Sequence, residues 1–245
     1  MRYQGSKGRV AKHIIPFIVE QLKDDRWYVE PFMGGCNVFS LIDHPKKIGC
    51  DYNRYVVEMW KAFKGGQLPP KSVSEDEYKR LKELSMSGGE HEVESLSWLI
   101  GYVGNACSYG SSWFNGYARY NPKKNEDHIL EAYNGTVRQI KGFKHLASSE
   151  FVCGDYETID YPKGSVIYCD PPYQSTKKYA CGEFDHDRFW NWVRRMTTEG
   201  HFVLVSEYSA PPDFKCVWSM EVADGMPITN GRQNKKVEKL FKYDG

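Results

Sequence analysis

Short apolar runs that end at or beside an acidic residue punctuate both ends of the chain, at residues 27–32, 47–50, 150–153, 165–169 and 201–205. Runs of that length, rich in β-branched and aromatic side chains and bounded by turn residues, predict buried parallel strands. Residues 235–242 alternate well enough for a last strand. Helical periodicity separates the runs. It covers about 9–22, with Ile14, Ile15, Ile18 and Leu22 on one side and Pro16 as a kink or a start. A short helix follows with Val38, Phe39, Leu41 and Ile42, then a longer one over 53–64. Phe184 and Phe189 flank Asp185 at the spacing of a hydrophobic staple, which makes Asp185 the N-cap of a further helix. Over residues 61–148 the strand rhythm disappears. Residues 65–70 form a linker, and Ser74 to Glu77 is a capping box that opens a helix with Tyr78, Leu81 and Leu84 on one face, stopped at Gly88 and Gly89. Two more helices are predicted at 93–103 and 129–140. The pattern describes an α/β frame built from residues 1–60 and 149–245, interrupted by a helical insertion at 61–148.

Composition narrows the picture. With 245 residues and 40% hydrophobic content the chain can bury one sizeable core and carry a second, smaller module, most simply as a monomer. A formal net charge of +1 gives no global attraction to nucleic acid, so any such contact must come from local patches. The 7 cysteines are dispersed, without C-x-x-C or Cys/His ligand spacing, and are expected as small buried residues in a reducing cytosol. No metal site is expected. The first residues hold no apolar signal segment and no run approaches a membrane span, so a protein of the cytoplasm is expected, without a membrane partner.

Candidate chemistry collects at the ends of the predicted strands. The strand at 165–169 stops at Asp170-Pro171-Pro172-Tyr173. In open α/β sheets the crevice outside the carboxyl ends of the strands is where ligands bind. Asp170 offers an acceptor-only carboxylate, the prolines have fixed φ and aim their carbonyls in set directions, and Tyr173 presents a flat face. Two fixed acceptors beside an aromatic plate suit a planar ring bearing an amino group. The tetrapeptide alone also reads as a stiff strand-to-loop turn. The first strand leads into Met33-Gly34-Gly35-Cys36, where missing β-carbons let a backbone approach a ligand, or where a plain turn is made. Asp51 stands 17 positions after Gly34, at the tip of the second strand. An acid there can accept from both ribose hydroxyls of an adenosine ligand, and it can equally cap the next helix. Asp155 follows Gly154 at the same sheet edge. Glu207 reads either as another edge acid or as the partner of a cation. The segment 105–120 mixes aromatics, glycines and small polar residues, and Arg119, Lys123 and Lys124 follow closely. Such a loop suits base-edge and phosphate contacts through Tyr109, Asn115, Arg119, Lys123 and Lys124, or forms a satellite core. Lys177, Lys178 and Gly182 mark a polar loop after Tyr173. The basic stripe of Arg232 and the neighbouring lysines is either a solvated edge or a DNA contact.

Taken in order, Glu30-Pro31-Phe32-Met33-Gly34-Gly35, Asp51, Gly154-Asp155 and Asp170-Pro171-Pro172-Tyr173 resemble the Dam-like DNA adenine methyltransferases of the D12 class, alpha group. Tyr3-Gln4-Gly5-Ser6-Lys7 is similar to that family's opening segment. Ser108-Tyr109-Gly110 and Trp113 to Tyr117 are similar to its target-recognition segment. One departure is Cys36, where relatives usually carry the second glycine of a F-x-G-x-G pattern. The resemblance implies a Rossmann-like class I methyltransferase sheet with a helical target-recognition insertion, binding S-adenosylmethionine and double-stranded DNA. It implies that Tyr3, Lys7, Phe32, Gly34, Asp51, Asp155 and Asp170 hold the cofactor. It assigns methylation of a flipped-out adenine to Asp170, Pro171, Pro172 and Tyr173. It further implies GATC as the family's common target, a restriction-modification context and a bacterial or phage-infected host cell. Rival readings are a methyltransferase acting on another amine (cytosine, RNA adenine or a protein amide) and a catalytically silent DNA-binding protein of the same fold.

Overall fold

The computed structural model describes residues 1–23, 25–87, 90–174, 184–223 and 235–245. Gly88, Gly89, Lys177, Lys178, Gly182 and Arg232, which the sequence reading singles out, lie outside them, as does Cys181, one of the 7 cysteines. The strands are β1 (Tyr28–Glu30), β2 (Lys47–Asp51), β3 (Glu150–Cys153), β4 (Val166–Cys169), β5 (Phe202–Glu207), β6 (Phe214–Ala223) and β7 (Lys235–Tyr243). The helices are α1 (Ala11–Val19), α2 (Arg54–Lys64), α3 (Glu75–Ser87), α4 (Glu90–Ala106), α5 (His128–Gly142) and α6 (His186–Thr198). All seven strands join one sheet in the order β3-β2-β1-β4-β5-β7-β6. Pairing from β3 through β5 is parallel, and β7 runs antiparallel to both β5 and β6.

This is a doubly wound sheet whose connections reverse direction between β1 and β4, the switch point at which such sheets open a crevice. Because the strands run parallel, their carboxyl ends bring Glu30, Asp51, Asp155, Asp170 and Glu207 to a single edge.

The six strands read from the sequence are present, and a seventh, β6, was missed. It follows Pro211 and Pro212 and pairs along its length with β7, but a register shift between Cys216 and Trp218 breaks its alternation. Helix α1 is shorter than expected and contains Pro16, while α4 is longer, beginning at Glu90. Capping follows the sequence: Ser74 Oγ accepts from Glu77 N at 3.1 Å, and Asp185 Oδ1 accepts from Arg188 N at 2.9 Å. The staple pair Phe184 and Phe189 have ring centroids 5.5 Å apart. Four described cysteines (36, 50, 107 and 169) are buried, whereas Cys153 and Cys216 are exposed at the two outer strands.

Two hydrophobic clusters sandwich the sheet. One joins α1, α2, α4 and α5 to one face, and the other packs α6 against the opposite face. The helical segment therefore shares its core with the sheet. Gly101 of α4 makes this contact close, since a Cβ there would lie 2.0 Å from the Tyr55 carbonyl oxygen of α2. No helix among the described residues is long and apolar enough to cross a membrane.

Candidate active site

The glycine turn after β1 is held from several directions. Gly34 has φ of +43°, and a Cβ on it would lie 2.6 Å from Tyr3 Cε1. Glycine is required here both by the backbone and by the tyrosine packed on it. Trp60 Nε1 of α2 donates to Gly34 O at 3.0 Å. Gln139 Nε2 of α5 donates to Gly35 O at 3.0 Å and to Cys36 O at 2.9 Å. Cys36 itself sits at φ +51°, in the left-handed region that favours glycine.

Asp51 closes the turn from the neighbouring strand. Its Oδ2 accepts from Gly34 N at 3.0 Å and its Oδ1 from Asn53 N at 2.9 Å. The helix cap expected as an alternative for Asp51 is supplied by Asn53, whose Oδ1 accepts from Tyr55 N at 3.1 Å. Burial pushes the Asp51 carboxyl up to about 6 against the pull of its two amide donors. Farther along the edge, Phe32 packs its ring on Tyr156, Phe184 and Phe189 with centroids 5.4 to 5.8 Å away. Asp155 accepts from Glu157 N at 2.9 Å and pairs with Arg188 Nη2 at 3.3 Å.

At the other side of the switch point, Asp170 follows β4. Lys7 Nζ lies 2.8 Å from Asp170 Oδ1, 3.8 Å from Glu238 Oε2 and 4.4 Å from the centre of the Tyr173 ring. Tyr173 OH donates to Glu238 Oε2 at 2.9 Å, and its ring meets Tyr208 edge-on at 4.6 Å. Lys7, read as a cofactor contact, thus touches Asp170 and Tyr173. Burial raises the Asp170 carboxyl to about 6, with the Lys7 ammonium opposing. Glu30 is buried, accepts from Tyr28 OH, and has its carboxyl pushed well above the usual range by burial. Glu207 is also buried and accepts backbone N–H groups of Gln174, at 2.9 Å, and Tyr208. It anchors the chain just beyond Tyr173. Pro171 is buried, and Pro172 faces the cleft.

One cleft of about 950 Å³ joins these parts, from Asp51, Asp155 and Phe184, past Gly34, to Asp170 and Tyr173. Asn105, Gly110 and Trp113 of the helical segment line it as well. The aromatic loop of that segment divides in two. Trp113 stacks on Tyr55 at 5.8 Å, and Phe114 is buried against Tyr78 at 5.3 Å. Tyr109, Asn115, Arg119, Lys123 and Lys124 are exposed. Arg119 is held by Glu75, with Nε to Oε2 at 3.1 Å and Nη2 to Oε1 at 2.7 Å.

Trp60, Gln139 and Glu238 were missed in the sequence. Trp60 lies on the apolar face of α2, where nothing distinguishes an indole that donates out of the core. Gln139 could have been noticed as an amide beside Ile140, and Glu238 as a lone acid among lysines.

A family model described as D12 class N6 adenine-specific DNA methyltransferase matches residues 3–220. The chain is 24% identical to the type II methyltransferase M.FokI of Planomicrobium okeanokoites over 72% of its length, and 23% identical to the DNA N-6-adenine-methyltransferase of Escherichia phage P1 over 86%. It is 28% identical to the retron Ec67 DNA adenine methylase of Escherichia coli over 73% of this chain and 67% of that one. The matches span only 29% of M.FokI and 30% of the phage enzyme.

Proposed function

The chain belongs to the D12 class N6 adenine-specific DNA methyltransferases, and on that premise we propose that it methylates the exocyclic amine of adenine in duplex DNA, using S-adenosylmethionine. The observation that carries this reading is the meeting of the Gly34–Asp51 cradle and the Asp170-to-Tyr173 turn in one cleft across the sheet's switch point. The cradle fits the cofactor. Its turn excludes side chains at Gly34, and an ionisable acceptor stands at the tip of β2, where a ribose diol is recognised. Tyr3, Phe32, Gly34, Asp51 and Asp155 would hold it, with Lys7 and Asp170 at the reacting end. When bound, the cofactor supplies a methyl group on a sulfonium.

An exocyclic amine is a weak nucleophile because its lone pair is delocalised into the ring. Hydrogen bonds from that amine to the Asp170 carboxylate and the Pro171 carbonyl favour the pyramidal, charge-bearing transition state over the planar ground state. The rigid Pro171-Pro172 pair fixes those acceptors before substrate arrives. The base must leave the duplex, at about a few kcal/mol. Stacking on Tyr173, worth about 1–3 kcal/mol, offsets much of that. Residues 61–148 form the target-recognition segment, with Tyr109, Asn115, Arg119, Lys123 and Lys124 toward DNA.

The test is transfer of labelled methyl to unmethylated duplex DNA, followed by sequencing of the methylated product to identify the target. Asp170→Ala is expected to abolish transfer while retaining cofactor binding. Robust transfer by that variant would sink the mechanism, and loss of cofactor binding would reassign Asp170 to the cofactor.

A further inference from the structure

We propose that Lys7 is the resting occupant of the amine subsite and that Glu238 of β7 receives its ammonium when a substrate amine enters, which makes Glu238 a positioning residue. The inference rests on the reading of Asp170 as amine acceptor and Tyr173 as ring platform.

Lys7 meets both groups at once, at 2.8 Å from Asp170 Oδ1 and 4.4 Å from the Tyr173 ring centre. A base stacked at ordinary contact distance, about 3.5–4.0 Å, would fill the volume that the ammonium holds. The two cannot share the ring face or the carboxylate oxygen. Nor can the ammonium simply be left unpaired, because the Lys7 side chain is 7% exposed and an isolated buried cation is costly.

Its second ion-pair partner among the described residues is Glu238, whose Oε2 stands 3.8 Å away. A shift of about 1 Å would turn that approach into a charge-assisted hydrogen bond of ordinary length. The four-carbon lysine stem allows such a shift. Glu238 is itself fixed to the ring it serves, through the 2.9 Å bond from Tyr173 OH. The other acids nearby already hold donors of their own and form no ion pair with Lys7 among the described residues, although its charge also reaches Glu207. Glu30 accepts from Tyr28 OH, and Glu207 accepts from the Gln174 and Tyr208 amides. Glu238 therefore gives the displaced cation a destination beside the platform it vacates.

The test follows the Lys7 ammonium by NMR in the full chain carrying ¹⁵N-labelled lysine, with its signal assigned through Lys7→Met. In the free protein the signal is expected to respond to Asp170→Asn more than to Glu238→Gln. With unmethylated duplex bound, that order is expected to reverse. Kinetically, Glu238→Gln is expected to raise KM for the duplex about tenfold, as loss of one charge-assisted bond implies, with a smaller effect on kcat. The same change in a Lys7→Met background is expected to have little further effect. A signal that stays tied to Asp170 in the complex, or an equal effect of Glu238→Gln in both backgrounds, overturns the proposal. Wild-type protein that places no methyl on duplex DNA overturns the functional reading beneath it. Transfer without relocation of Lys7 overturns this inference alone.

Discussion

Replacement of Asp51 by asparagine separates what this residue does for the fold from what it does for the ligand. Burial raises its carboxyl from an ordinary 3.8 to about 6. At neutral pH that difference corresponds to about 3 kcal/mol against the ionised form in the ligand-free protein. The sign is set by the folded value lying above the unfolded one. The stabilising share of this group is complete below 3.8 and is lost as pH rises through about 6. Asparagine removes the charge but keeps one acceptor, so one of the Gly34 and Asn53 amides loses its partner, at about 1–3 kcal/mol. At pH 7.5 the substitution therefore gains between nothing and about 2 kcal/mol, or a Tm up to several degrees higher, at about 2–4 °C per kcal/mol for a chain of this size. At pH 4 the burial penalty is largely absent from the native residue, and the same substitution costs about 1–3 kcal/mol. Affinity for S-adenosylmethionine moves the other way, falling about 10- to 100-fold with the loss of a charged acceptor. Thermal unfolding of the ligand-free protein at both pH values, with calorimetric titration of the cofactor, measures all three quantities. A fall in Tm at pH 7.5 as large as the fall at pH 4 would refute the reasoning, because it would make the carboxylate a net stabiliser.

Two further outcomes are expected. Replacing Lys123 and Lys124 by glutamine should reduce the slope of log K against log salt for duplex binding by about 2. Arg119→Gln should move the slope less, because its guanidinium is already paired with Glu75; an unchanged slope in the double variant would remove the helical segment from the DNA interface. At Cys36, which holds φ of +51° while fully buried, glycine relieves backbone strain but deletes a packed thiol, so denaturant unfolding should shift by no more than about 1 kcal/mol. Valine there should cost about 2 kcal/mol or more, since a β-branched residue resists the left-handed region; equal stability of the two variants would contradict the strain.

The strands that end in acids were legible because a parallel strand buried on both faces reads as an unbroken apolar run. The nearness of Asp51 to the glycine turn was legible too, since both belong to one local βα unit followed by its neighbouring strand, but the hydrogen bond from Gly34 N to Asp51 Oδ2 was not. What could not be read was the meeting of Lys7 with Asp170. Sequence reading gave both to the cofactor, and Asp170 to the substrate amine as well, whereas the fold pairs them with each other, Lys7 Nζ standing 2.8 Å from Asp170 Oδ1. Strand β6 was hidden for a different reason. Its register shift leaves neighbouring Lys215 and Cys216 both exposed, which erases the two-residue period. Trp113 and Phe114 show the limit of composition: Phe114 is core, Trp113 is half-buried on Tyr55 at the edge of the cleft, and the outward face is carried by Tyr109, Asn115 and the cations.

The packing also bears on how the two proposed tasks share one frame. The segment assigned to DNA includes α5, yet Gln139 of α5 holds the carbonyls of Gly35 and Cys36 in the glycine turn. The aromatic loop rests on Tyr55, one residue into α2, and the same helix places Trp60 on the carbonyl of Gly34. A displacement of the loop by DNA would therefore act on the helix that fixes the turn, through a glycine contact too tight to absorb movement at Gly101. On the proposed reading, duplex contact and cofactor placement would be joined through α2, whose core the helical segment shares. The Asp170-to-Tyr173 turn is anchored on the other side of the switch point by Glu207 and Glu238, strand residues outside that coupled helix set.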